Sequence, residues 1–130
     1  FLDHISIVIS GISEGDERRN IDNLMTNLRK LVEEVNCGMF VVSHLKRVDS
    51  KTGHEEGIQT SLSHLRGSHS LAQLSDAVIG FERDQQSETE NNIMTVRVLK
   101  NRFTGDTGVA CDLIWNKDTG RLSEGNLDEW

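Results

Sequence analysis

Nine residues, MFVVSHLKR from Met39 to Arg47, limit the possible folds more than any other stretch of the chain. Met39, Phe40, Val41 and Val42 lack the alternation of a half-exposed strand, so they read as a strand buried on both faces, the usual state in a parallel sheet. Ser43, His44, Lys46 and Arg47 then stand at its carboxyl end. Ligands of open α/β sheets collect in the crevice outside the carboxyl ends of the strands, so this polar cluster is where chemistry is expected. The bland alternative for a single strand-end histidine is a ring satisfied by a neighbouring carbonyl.

The flanking segments supply the rest of an α/β unit. Phe1 to Ser10, FLDHISIVIS, is apolar and β-branched and predicts a central strand with Asp3 and His4 embedded in it. From about Asp16 to Asn36, residues Ile21, Leu24, Met25, Leu28, Leu31, Val32 and Val35 recur at spacings of three and four, the stripe of an amphipathic helix. Gly38 is the expected C-terminal stop. Strand, helix and strand in this order predict a right-handed βαβ unit with two parallel neighbours.

Beyond Arg47 the pattern changes. Val48 to Ser63 carries Gly, Ser, Thr and charge without apolar periodicity and reads as a functional loop hanging from the His44 strand end. Ser68 to Ser75 predicts a short helix. Ala77 to Glu82, Ile93 to Lys100 and Val109 to Trp115 predict strands, with a hairpin loop over Ser87 to Asn92 and turns at Gly105-Asp106-Thr107-Gly108 and Asn116 to Gly120. The architecture expected is α/β, a parallel βαβ sheet extended by antiparallel strands. The acidic stretch from Ser123 reads as a loose tail, so the division expected is a domain over 1–122 and a tail over 123–130.

Composition narrows the function classes. A net charge of −7 in 130 residues argues against a general polyanion binder, so any nucleic-acid contact has to be local. Lys46, Arg47, Lys51 and Arg66, interleaved with His44, His54, His64 and His69, form such a local positive patch. Cys37 and Cys111 match no CxxC spacing, which favours a reducing compartment. No apolar run approaches membrane-spanning length and no basic leader is followed by an apolar stretch, so a soluble protein is expected. The chain opens on Phe in what reads as the middle of a strand, and a piece of a longer protein is expected.

Several residues could carry chemistry. Asp3, at the junction of an apolar strand and its polar neighbour, is where a nucleotide-hydrolysing enzyme holds the acid that orients a magnesium-bound water. The alternative is an acid neutralised by a capping or ion-pair partner. Lys100 and Arg102, two apart at a strand end, are expected to point to one side and so to address an anion, as an arginine finger does. Their alternative is a solvated strand end with surface ion pairs worth at most about 1 kcal/mol. Arg66-Gly67-Ser68 could present N–H groups and a cation to phosphate, or simply begin a helix. Arg83 and Trp115 could clamp a flat base by cation–π and stacking contacts, against the usual role of a strand Trp in a core. The histidines show no zinc spacing.

Taken together, LDHISIV (Leu2 to Val8), DERRNIDNLMTNLRKL (Asp16 to Leu31), SHLKR (Ser43 to Arg47), HEEG (His54 to Gly57), LRGSHSLAQLSD (Leu65 to Asp76), FERDQQ (Phe81 to Gln86) and LKNRFTGDTG (Leu99 to Gly108) resemble the helicase half of the replicative primase-helicases of short-tailed phages, relatives of mitochondrial Twinkle and bacterial DnaB. The resemblance covers nearly the whole chain, with the motifs in order. It implies a RecA-like hexameric motor moving 5′ to 3′ on single-stranded DNA, fuelled by ATP or dTTP with Mg2+. Position by position, it implies that Asp3 is the Walker B acid supporting magnesium through bound water and that His44 senses the γ-phosphate. Lys46, Arg47 and the loop through Lys51 would face DNA in the channel, and Arg66 and Gln73 would belong to the same DNA-facing or coupling region. Arg102, with Lys100, would reach into the neighbouring subunit's nucleotide site. Arg83 and Trp115 would sandwich the base, with Trp where Tyr is expected. The acidic tail ending Asp128-Glu129-Trp130 would be a shortened contact for DNA polymerase, and the setting a phage protein in the host cytoplasm.

One departure is large. The chain contains no GxxxxGK[ST], so the phosphate-cradling loop and the catalytic glutamate after it are absent, and the segment alone is expected not to hydrolyse ATP. The expectation is therefore the C-terminal portion of an ATP-dependent replicative DNA helicase. The rivals are a non-catalytic RecA-like binding or assembly domain, and a metal-dependent phosphoesterase built on Asp3, His4 and His44.

Overall fold

The computed structural model describes residues 1–11, 16–46, 53–65 and 69–125. The chain divides into two compact units, one formed by residues 1–46 and 63–76, the other by 47–62 and 77–130.

The first unit is mainly helical: α1 (Ile5–Ser10), α2 (Glu17–Val35) and α3 (His69–Leu74). Asp16 caps α2, its carboxylate accepting from the Arg18 N–H at 3.1 Å, and Glu17 adds a negative charge to the positive end of the helix dipole. The apolar stripe works as its spacing predicts at its centre: Ile21 and Met25 are buried, with Leu24 and Leu28 packed beside them. Towards the C-terminus Leu31 and Val35 of the same stripe remain exposed. The helix stops at Asn36, in the left-handed conformation at φ 53°, and not at Gly38; a short polar side chain tolerates that region, so glycine is not required.

The predicted strand over Phe1 to Ser10 is corrected to a single bridging residue followed by a helix. Leu2 pairs in parallel with Val41: its N–H donates to the Phe40 carbonyl at 2.8 Å, and the Val42 N–H donates to the Leu2 carbonyl at 2.9 Å. From Ile5 the chain is α1. Ile5 and Ile9 lie one turn apart on the face that enters the core, while Ile7 on the far side is 59% exposed. A continuous β-branched run cannot by itself distinguish a doubly buried strand from a short core helix, and here the core favours the four-residue repeat. Met39 to Val42 is likewise not buried on both faces, since Phe40 and Val42 are 64% and 45% exposed. The parallel contact expected of the βαβ unit is present, confined among the described residues to this one bridge. Ile5, Ile9, Ile21, Met25 and Leu71 form the core, and the Arg29 guanidinium holds Asp76 at 2.7 Å and Glu33 at 2.9 Å.

The second unit is an antiparallel meander, β1 (Ala77–Glu82), β2 (Ile93–Asn101), β3 (Gly108–Asn116) and β4 (Arg121–Glu124), in that spatial order. Its turns follow the sequence signals. Asn101 Oδ1 accepts from the N–H groups of Phe103 and Thr104 before Gly105 takes φ 79°. Asn116 repeats the device for Asp118 and Thr119 before Gly120 at φ 66°. The fourth strand carries Ser123 and Glu124 into the sheet, opposite Ile114 and Leu113, so the loose stretch expected from Ser123 is ordered through Glu124.

The strands of this unit are fixed by polar contacts as much as by apolar ones. Glu82 is only 8% exposed and accepts four hydrogen bonds: from the Thr60 N–H and hydroxyl, both at 2.7 Å, and from Arg97 Nε and Nη2 at 2.7 and 3.1 Å. Burial works against the charged carboxyl, but the Arg97 and Thr60 hydrogen bonds outweigh it and hold Glu82 below the usual carboxylate range. Gly80 is required beside this network, because a Cβ there would run into the Thr60 hydroxyl. Residues 53–60 are tied to the same strand end by the Glu56–Asp84 bridge and by the Gln85 N–H donating to the Glu55 carbonyl at 2.9 Å.

Candidate nucleotide and nucleic-acid sites

The parallel bridge positions the candidate site of the first unit. Because Leu2 and Val41 run side by side in the same direction, the residues just beyond each, Asp3 and Ser43-His44, emerge at the same carboxyl end. Asp3 is exposed there. The His44 ring meets the His4 ring edge-on, with centroids 4.2 Å apart and planes inclined by 67°. His4 Nδ1 is buried with no hydrogen-bond partner among the described residues. Sequence reasoning used His4 only in the phosphoesterase reading; its position next to Asp3 was the signal that it would share the site.

Magnesium fits this acid in one way. Among the described residues no three His, Cys, Asp or Glu side chains gather to hold a metal by themselves. An Mg2+ ion, which keeps several waters and is usually shared between one or two carboxylates and substrate phosphates, matches a single exposed aspartate. Asp3 is placed to meet the water shell of such an ion.

Beyond His44 the chain is clamped to the segment before α3. Leu45 bridges Leu65 in antiparallel fashion, and the Lys46 N–H donates to the His64 carbonyl at 2.8 Å. Two stretches of the expected positive patch are thereby brought together at their described ends. Lys46 is exposed, and Gln73 is exposed on α3. Arg47, Lys51 and Arg66 lie outside the described residues.

In the second unit Arg83 and Trp115 are in contact. The Arg83 guanidinium carbon lies over the indole at 4.9 Å from its centroid, and Arg83 Nε donates to the Asn91 carbonyl. The Trp115 N–H donates to the Asn92 carbonyl at 2.8 Å, so the loop between β1 and β2 is held against the end of β3. A base inserted between two flat groups needs about 7 Å between them, twice a van der Waals contact, and this pair stands closer. Lys100 lies within β2, opposite Val78, whereas Arg102 falls one residue past the strand in the turn that follows. Strand alternation therefore does not set the direction of Arg102, as the two-residue spacing had implied. It is exposed on a turn stiffened by Asn101.

The parallel bridge of the first unit and the antiparallel sheet of the second make an α/β fold, and comparison with known proteins identifies its family as RecA-like. Residues 1–124 match the family described as DnaB-like helicase C terminal domain, and the chain belongs to that family. It is 48% identical over 121 residues to the DNA helicase/primase of Enterobacteria phage T3, an alignment covering 93% of this chain and 21% of that protein. A solved DnaB-like replicative helicase, determined with its interactions with primase, superposes with a TM-score of 0.68 at 24% identity over 85% of this chain and 26% of that one. The chain thus spans about a fifth to a quarter of the length of these relatives. Among the described residues no helix is long and apolar enough to cross a membrane.

Proposed function

We propose that this chain is part of a replicative DNA helicase that hydrolyses nucleoside triphosphates at the interfaces of a homo-hexameric ring and moves along single-stranded DNA. The observation that carries the reading is the convergence of Asp3 and His44 at one end of a parallel bridge, in a chain that matches the helicase family over residues 1–124. Asp3 orients the water shell of Mg2+, and His44, edge-on to His4, responds to the terminal phosphate. Arg83 and Trp115 serve the base of ATP or dTTP. Lys46, Arg47, Lys51, Arg66 and Gln73 meet DNA. The acidic residues 123–130 contact DNA polymerase, and the protein works in the host cytoplasm.

Arg102, together with Lys100, supplies charge to the phosphoryl group held by the adjacent subunit, where negative charge spreads over the transferring oxygens. In the complete protein, Arg102→Ala is expected to cut DNA-stimulated hydrolysis by roughly a thousandfold or more while nucleotide binding by equilibrium dialysis stays within a few fold. Hydrolysis within tenfold of wild type removes the finger assignment.

A further inference from the structure

Segment 53–60 is bound to the end of β1 at two places. Thr60 is 3% exposed and directs both its N–H and its hydroxyl, each at 2.7 Å, onto Oε1 of Glu82, the oxygen that also accepts from Arg97 Nε at 2.7 Å. The approach is so close that Gly80, opposite Arg97 in the strand register, has no room for a Cβ. At the second place Glu56 bridges Asp84, the Gln85 N–H donates to the Glu55 carbonyl at 2.9 Å, and Gly57 at φ 73° brings its backbone against Asp84. Arg97 in turn belongs to β2, whose last residue, Asn101, immediately precedes Arg102.

We propose that Thr60 is a positioning residue, and that the Thr60–Glu82–Arg97 link carries the state of the DNA-facing loop to the strand that ends at the finger. The residues read as meeting DNA run through Lys51 almost directly into this segment, so the inference rests on that reading and on Arg102 as the finger. Coupling between sites is carried by hydrogen-bonded networks and rigid elements that both sites bias. Apolar packing would hold the segment as firmly, since replacing a buried ion pair by well-packed apolar residues is often neutral or stabilising. It would not fix where the segment stands along the strand, because burial has no direction. Three bonds converging on one carboxylate oxygen do fix it. A shift of Thr60 must either drag Glu82 or break two bonds to it, and a shift of Glu82 passes to Arg97 through two more.

The test uses the complete protein and measures nucleotide hydrolysis with and without saturating single-stranded DNA, together with the Kd for that DNA. Thr60→Val keeps the shape and the N–H bond and removes the hydroxyl. Its rate with DNA should fall about tenfold, the lower end of what one hydrogen bond to a charged group is worth, while the rate without DNA, the nucleotide KM and the DNA Kd stay within twofold. Thr60→Ser, which retains both donors, should keep the stimulation. Equal losses with and without DNA in Thr60→Val would make the link a support of the fold only, and stimulation within twofold of wild type would leave it no part in coupling; either result overturns the proposal. The wild-type protein gives a measurement independent of any folding defect: adding DNA should change hydrogen exchange in β1 and β2 as well as in segment 53–60, and no response in the two strands also overturns it. The double variant Lys46→Ala, Lys51→Ala separates this inference from the reading beneath it, as Arg102→Ala does for the finger. Weakened DNA binding there, beside full stimulation in Thr60→Val, sinks the link alone, whereas unchanged DNA affinity sinks the DNA-facing loop and the link with it.

Discussion

The two units are held together by different physics. In the first, five apolar side chains from α1, α2 and α3 form a core without a single buried ion pair among the described residues, and the functional groups stand outside it at the end of one parallel bridge. In the second, β1 ends on a buried carboxylate, Glu82, bound to Arg97 of the neighbouring strand and to Thr60 from the preceding loop. Dispersion and burial are non-directional and tolerate small changes of shape, whereas an ionic network requires each partner in place.

The largest expected effect separates the two directly. Arg97→Ala leaves the buried Glu82 charge with only its Thr60 hydrogen bonds and should cost about 3–5 kcal/mol, the usual penalty for removing one partner of a buried pair. Native-state hydrogen exchange should show the loss over β1 to β4 and little change in α2. Equal loss of protection in α2 and in the strands would mean that the two units open as one, and the contrast between them would disappear. A smaller effect is expected from Ile21→Val in the first core. Ile21 is 1% exposed, yet shortening it by one methylene should cost only about 0.5–1.5 kcal/mol, read as a shift of the urea midpoint. A loss above 3 kcal/mol would show that this core is as exacting as the ionic network.

The same contrast explains what the sequence made legible. Three of the four strands of the meander, β1 to β3, were readable almost to the residue, because hairpins are local and their turns announce themselves in Asn101 to Gly105 and Asn116 to Gly120, whereas β4 was not. The long helix was readable from its stripe. The beginning of the chain was not: the run Ile5-Ser6-Ile7-Val8-Ile9-Ser10 satisfies strand composition, and only its distant partners Ile21, Met25 and Leu71 decide for helix. Of the candidate site, the place of His44 just past the bridging strand end was expected from the rule about carboxyl ends, and the closeness of Arg83 to Trp115 from complementary chemistry. The edge contact of His4 and the Thr60–Glu82–Arg97 network depend on pairings between segments far apart in sequence. No local pattern marks those, although a charged Glu82 two residues after a buried Gly80 in a strand was a hint that it had a partner.

Acid offers the finest test of the difference. Glu82 titrates below its ordinary value near 4.5 in the folded protein, because Arg97 and Thr60 bind its charged form more strongly than burial disfavours it. Between the folded and unfolded values the unfolded chain holds more protons, so stability rises with pH there. The contribution of this carboxylate is complete above about pH 4.5 and is lost as the pH falls through the lower folded value. Exchange protection in β1 and β2 should therefore decline below pH 4.5 before protection in α2 does. Glu82→Gln, which keeps the shape and removes the titrating group, should be less stable at neutral pH and should flatten that decline. Should the variant and the wild type lose strand protection in parallel on acidification, another group governs the acid sensitivity, and the ionic character assigned to the second unit would not be what distinguishes it from the first.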